Sequence, residues 1–147
     1  MSYTLSKIRP DDRRGMAQVR ALLEQEGISL DGNLDYTCGL FDENDNLAAT
    51  GSSFGSTLRC FAVDRAHQGE GLLNQIVSHL VERLTGQGRT HLFVYTKVSA
   101  AKFFQDLGFY EIARVENTLS FLENRKNGFA RFCARLSQSR TEEPAAA

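Results

Sequence analysis

Apolar positions along the chain change period several times, and each change marks an element. Tyr3 and Leu5 alternate with Thr4 and Ser6, the two-residue repeat of a strand, and Pro10 ends that run. Asp11 or Asp12 then precedes Met16, Val19, Leu22 and Leu23 at helical spacing, with Gly27 placed as the C′ residue. Residues 29–36 read as loop. Three strand-like runs follow at 37–42, 47–52 and 57–63. The turn chemistry of Glu43-Asn44-Asp45-Asn46 and of Gly55-Ser56 separates them, which predicts an antiparallel meander.

Leu72, Leu73, Ile76, Val77, Leu80, Val81 and Leu84 form a helical stripe, closed by Gly86 and Gly88. Residues 91–96 (HLFVYT) are nearly continuous in apolar character, as expected of a strand covered on both faces. A second amphipathic helix is predicted over 98–107 with Gly108 at C′, then a strand pair at 109–115 and 119–123. A helix over 127–136 and a polar tail of linker composition, expected to be disordered, complete the chain. The fold class is therefore α/β: a mixed, mostly antiparallel sheet with a central βαβ unit and helices on both faces. Only that unit demands a parallel pair and a right-handed crossover. Residues 1–126 form the domain, and 127–147 the C-terminal helix and tail.

At 147 residues, with 41% hydrophobic and 24% charged positions, the chain is sized for one domain with a real core. A formal net charge of -1 gives no global field to recruit nucleic acid or a membrane, so neither is expected as a partner. The N-terminus has no apolar signal-peptide core, and no run approaches the roughly 18 apolar residues of a membrane span. Cys38, Cys60 and Cys133 are odd in number and widely spaced, and His67, His79 and His91 show no ligand spacing with them. Reduced thiols, no metal and a cytoplasmic location are the expectation.

The chemistry is concentrated in Phe61-Ala62-Val63-Asp64-Arg65-Ala66-His67-Gln68-Gly69-Glu70-Gly71-Leu72-Leu73, where a strand runs through a glycine turn into a strong helix. Glycines at 69 and 71 let the backbone curl with its N–H groups inward, and the helix start adds its own amides and dipole. Such a turn suits phosphate groups. Asn74 stands where a dinucleotide fingerprint needs its third glycine, and no G-K-[ST] follows for a P-loop. By itself the G-x-G also fits a tight connection with no ligand.

Gln68-Gly69-Glu70-Gly71 resembles the Q/R-x-x-G-x-G/A signature of the GNAT acetyltransferase superfamily. Ala100-Ala101-Lys102-Phe103-Phe104-Gln105-Asp106-Leu107-Gly108-Phe109 resembles its second signature, a short helix ending in Leu-Gly-Phe. The resemblance implies that the amides of Gln68, Gly69, Glu70, Gly71, Leu72 and Leu73 cradle the pyrophosphate of acetyl-CoA or a CoA-like group. It implies that Phe61, Ala62 and Val63 pair their backbone with the pantetheine arm. Tyr95 and Thr96 would lie on the strand that splays away to open the groove, with Lys102 and Phe103 near the adenine end.

The pattern breaks at three positions. Leu73 replaces a Gly or Ala, and its side chain either crowds the pyrophosphate or turns into the core. Phe104 stands where many GNAT enzymes carry a tyrosine acid, and Thr57 where several keep a glutamate base. Asp64 is read as stabilising the loop, Glu70 as sitting on the solvated helix start, Cys60 as a core cysteine and His67 as an exposed loop residue. No catalytic residue is assigned.

Ala49-Thr50-Gly51-Ser52, Ala62-Val63-Asp64, Gln68-Gly69-Glu70-Gly71-Leu72, His91-Leu92-Phe93 with Thr96-Lys97, and Glu123-Asn124-Arg125-Lys126-Asn127-Gly128 are similar to the N-terminal domain of the citrate lyase ligases. That resemblance implies a ligand of dephospho-CoA type carried on the citrate lyase acyl carrier protein. It also implies that the ligation chemistry belongs to a C-terminal domain with an H-x-G-H motif, which this sequence lacks; a truncated chain and a stand-alone relative both fit. Three functions stay open: binding of acetyl-CoA or a CoA-like prosthetic arm, N-acetyl transfer from acetyl-CoA to an amine, and a non-catalytic protein-interaction module.

Overall fold

The computed structural model describes residues 2–115 and 119–125. The helix predicted over 127–136, the tail and Cys133 lie outside the described residues.

In chain order the elements are β1 (Thr4–Lys7), α1 (Arg13–Gln25), β2 (Tyr36–Phe41), β3 (Leu47–Phe54) and β4 (Thr57–Val63). After a 3-10 turn (Arg65–His67) come α2 (Leu72–Gly86), β5 (His91–Lys97), α3 (Val98–Asp106), β6 (Tyr110–Val115) and β7 (Leu119–Arg125). Asp12, one of the two predicted caps, starts α1 by accepting from the Gly15 amide at 2.9 Å. The seven strands form one sheet in the order β1-β2-β3-β4-β5-β7-β6. The predicted meander is β2-β3-β4, and every pairing is antiparallel except β4 with β5. That parallel pair is the predicted βαβ unit, because a connection carrying a whole helix returns the chain to the same strand direction.

Apolar side chains collect in two layers. Val19, Leu22 and Leu23 of α1 pack with Ile8, Leu47, Cys60 and Ala62. The larger layer gathers Leu72, Ile76, Val77, Leu80 and Leu84 of α2 and Phe103 and Phe104 of α3 against Leu58, Phe61, Val63, Leu92 and Val94. Neighbouring residues of β4 therefore face opposite layers, Cys60 and Ala62 one way, Phe61 and Val63 the other.

One strand departs from expectation. In β5, Leu92, Val94 and Thr96 are buried, while His91 is exposed and Phe93, Tyr95 and Lys97 are half-buried. The apolar run reads as doubly covered, but α2 and α3 cover one face and leave the other to the opening described next.

Candidate functional site between β4 and β5

β4 and β5 begin as neighbours and then part. They pair at Thr57 with Phe93 and at Leu58 with Val94, and nowhere later. On its other edge β4 keeps its pairing to β3, but the register shifts: Ser52 faces Arg59 and Thr50 faces Ala62. Cys60 and Phe61 are left opposite Gly51, a β-bulge, and Cys60 adopts a left-handed φ of 57°. A bulge bends its strand, and the pairing with β5 stops just before this one. Glycine at 51 is required by the packing over it. A Cβ there would lie 2.4 Å from Cγ2 of Ile76 and 3.0 Å from Cδ1 of Phe61.

The divergence opens a cavity of about 210 Å³. Its walls are Arg59, Cys60 and Phe61 of β4, Tyr95, Thr96 and Lys97 of β5, and Gly27, Ile28, Ser29 and Asp31 of the loop after α1. Asp31 and Arg59 form an ion pair across it, Oδ2 to Nε 2.9 Å, with both side chains largely covered. The Arg59 guanidinium also stacks over the Tyr95 ring, 5.0 Å from its centroid. The Cys60 thiol points at Asp31 Oδ2 (3.5 Å) and the Ser29 carbonyl (3.9 Å). Burial pushes that thiol up to about 11, so it is a protonated donor and not a nucleophile at neutral pH.

Beyond β4 the chain turns through Gly69 and Gly71, at φ 83° and 76°, conformations that favour glycine. Gly71 is the N-cap of α2; it supplies no side-chain cap, and the first turn of the helix carries no acidic residue. The loop is braced from outside. The Tyr3 hydroxyl meets His67 Nδ1 at 2.8 Å, and His67 lies 3.1 Å from Glu70 and 3.8 Å from Asp64. His67, read from sequence as exposed, keeps only 15% of its side chain accessible, because Tyr3, just before β1, covers it edge-on. Glu70 is half-exposed and engaged, rather than simply solvated.

The residues singled out in the sequence distribute as follows. Phe61, Ala62 and Val63 lie on the part of β4 that has left β5, and all three side chains are buried. Tyr95 and Thr96 lie on the facing part of β5 and line the cavity with Phe61. Gln68, Gly69, Glu70 and Gly71 form the turn, and Leu72 and Leu73 open α2 with fully buried side chains. Leu73 thus turns into the core and does not fill the turn. Lys102 is exposed and pairs with Asp106 at 3.5 Å, whereas Phe103 is buried edge-on against Phe104. Phe104 itself is fully buried among Phe61, Phe103 and Phe109. Sequence reasoning missed Asp31, Arg59, Ser29 and Lys97. Positions 31 and 59 carry no local signal of each other, since only the bulge and the loop after α1 bring them together.

A seven-stranded mixed sheet whose parallel strands part beside a glycine turn is the fold of the GNAT acetyltransferases. A GNAT-family acetyltransferase from Staphylococcus aureus superposes with a TM-score of 0.69 at 12% identity, over 85% of this chain and 99% of that one. In sequence, the chain is 26% identical over 131 residues to the [citrate [pro-3S]-lyase] ligase of Haemophilus influenzae, which covers 89% of this chain and 39% of that protein. It is 28% identical over 129 residues to the enzyme of the same name from Klebsiella pneumoniae, covering 88% and 37%. The chain thus spans less than half the length of these relatives and is similar to their N-terminal part. No protein-family profile matches it. It is a GNAT-fold domain resembling the N-terminal part of citrate lyase ligase.

Proposed function

We propose that the opening between β4 and β5 holds a CoA-type group, either acetyl-CoA or a dephospho-CoA-derived prosthetic arm. The observation that carries this reading is the parting of the two strands after Leu58 and Val94. Residues 59–63 of β4 keep one edge off β5, where an extended amide-bearing arm adds as a strand would. The turn at Gln68, Gly69, Glu70 and Gly71, with the start of α2 at Leu72 and Leu73, then takes the pyrophosphate. Two left-handed glycines, a helix start with no side-chain cap and a Leu73 side chain turned inward all support that assignment. Lys102 and Phe103 are assigned to the adenine end. When bound, such a group supplies a thiol or thioester at the tip of its arm.

The chain's own residues suit holding better than acid–base work. Phe104 is buried and has no proton to give, and Asp31 is already engaged by Arg59 and Cys60. Since the sequence relatives are named as ligases of citrate lyase, we assign the physiological arm to the acyl carrier protein of that enzyme, in the cytoplasm.

Calorimetric titration with acetyl-CoA and with dephospho-CoA tests this. Saturable binding of either is expected, weakened at least tenfold by Gly71→Ala, whose Cβ burdens the left-handed turn and its approach to phosphate. Absence of binding by both ligands would overturn the reading, and an amine-dependent release of CoA would favour N-acetyl transfer.

A further inference from the structure

The glycine turn carries more negative charge than a phosphate site calls for. Between β4 and α2 stand two carboxylates, Asp64 and Glu70, and one guanidinium, Arg65. Arg65 is engaged elsewhere: its Nε lies 3.3 Å from Glu26 Oε2 and its Nη2 donates to the Gln25 carbonyl at 3.0 Å, both at the end of α1. Glu70 sits between the two left-handed glycines and directly before the start of α2, whose first turn holds no acid and whose N-terminus has no side-chain cap. A carboxylate at that place has two ways to oppose a phosphate. Its charge repels over several ångströms, because Coulomb energy falls only as the inverse of distance. Left loose, it can also accept from the N–H groups of the helix start, as a capping side chain does.

Tyr3 and His67 decide where that carboxylate points. Both Glu70 oxygens accept from the Tyr3 hydroxyl, at 2.9 and 3.0 Å. With that proton committed, His67 Nδ1 is the donor in its own contacts, to the phenol oxygen at 2.8 Å and to Glu70 Oε2 at 3.1 Å. Tyr3 leads into β1, and the strand order β1-β2-β3-β4-β5 puts that strand to one side of β4 and the opening toward β5 to the other. The carboxylate is thus drawn to the flank of the turn away from the groove. A phenol is a neutral donor, so it fixes the direction of the charge without cancelling it. From this geometry we infer that Tyr3 and His67 are positioning residues for phosphate recognition. They hold the Glu70 carboxylate on the β1 flank, so that a pyrophosphate entering from the β5 side meets backbone N–H groups and not a competing acid. Their role rests on the CoA-type reading of the turn.

Calorimetric titration of dephospho-CoA into the whole chain carrying Tyr3→Phe, Glu70→Gln or both tests this role, with circular dichroism reporting that each variant is folded. Tyr3→Phe is expected to weaken binding at least fivefold. Glu70→Gln keeps the backbone amide and removes the charge, so it should bind at least as tightly as the unsubstituted chain. The double variant should return to within twofold of Glu70→Gln, because no charge is left to hold away. A tie that merely orders the turn predicts the reverse: each variant removes support, and the double variant binds most weakly. That outcome would overturn the inference, and so would Tyr3→Phe binding within twofold of the unsubstituted chain. His67→Gln supplies a second route should Tyr3→Phe not fold, and its weakening should likewise vanish in the Glu70→Gln background. An unsubstituted chain that binds neither dephospho-CoA nor acetyl-CoA overturns the CoA-type reading and this role with it. Binding that Tyr3→Phe leaves unaltered overturns the positioning role alone, so the two failures are told apart.

Discussion

The hydroxyl of Tyr3 donates to the carboxylate of Glu70, 2.9 Å from Oε2 and 3.0 Å from Oε1, across 67 positions of sequence. His67 stands against the same hydroxyl at 2.8 Å, so these side chains tie the residue that leads into the first strand to the glycine turn. Burial, and then the hydrogen bond to the Glu70 carboxylate, push the Tyr3 phenol up to about 12, which keeps it a donor throughout the physiological range.

Tyr3→Phe keeps the ring and removes the tie. Because Glu70 is partly exposed, the expected loss of stability is small, about 0.5–1.5 kcal/mol. The larger effect should be local: amide hydrogen exchange at residues 68–71 should quicken while core strands keep their protection. Unchanged exchange in the turn would mean that backbone geometry alone holds it.

Gly51→Ala places a methyl where Ile76 and Phe61 already sit, at 2.4 and 3.0 Å. Overpacking of this kind costs about 1–3 kcal/mol, which a urea midpoint would show. Adding Ile76→Ala removes the nearest contact, so the double variant should lose less than the two single losses combined. Simple additivity would place the strain elsewhere.

Burial lowers the pKa of His79, whose Nε2 lies 2.6 Å from the Tyr36 hydroxyl and whose helix also brings Glu82 and Arg83 near. The unfolded chain therefore takes up a proton at this residue at higher pH than the folded one. Its contribution favours folding at neutral pH and is lost as pH falls through the ordinary histidine value of 6.5 and on toward the lower folded value. Melting temperature should drop over that window, and His79→Gln should flatten the drop. A slope that survives the substitution would assign it to other groups.

With its thiol at about 11, against an ordinary 9.0, Cys60 has roughly a hundredfold less thiolate at pH 8. Iodoacetamide followed by peptide mapping should find Cys60 nearly unlabelled in the folded protein and labelled in urea. Fast native labelling would contradict the burial of the bulge.

Much of the architecture was legible in the residues. The heptad-like stripe from Leu72 to Leu84, the alternation around Tyr3 and Leu5, and the turn chemistry at 43–46 each report which face of a local segment is buried. Burial periodicity is a property of the segment itself. The glycines at 69 and 71 were legible for the same reason, since a left-handed turn needs them locally. The double covering expected of 91–96 was wrong because an apolar run shows that a strand avoids water, not how many layers lie over it.

By itself, then, the amino-acid sequence determined the order and type of the strands and helices among the described residues, the single parallel crossover and the glycine turn that starts α2. All of these follow from preferences acting over a few residues. Only the tertiary structure decided where β4 leaves β5, that Leu73 turns inward, that Tyr3 braces the turn, and that Arg59 meets Asp31 over Tyr95. Those outcomes depend on register. One extra residue in β4 opposite Gly51 shifts which side chains reach the opening, and no local pattern records which distant loop that shift will bring them to.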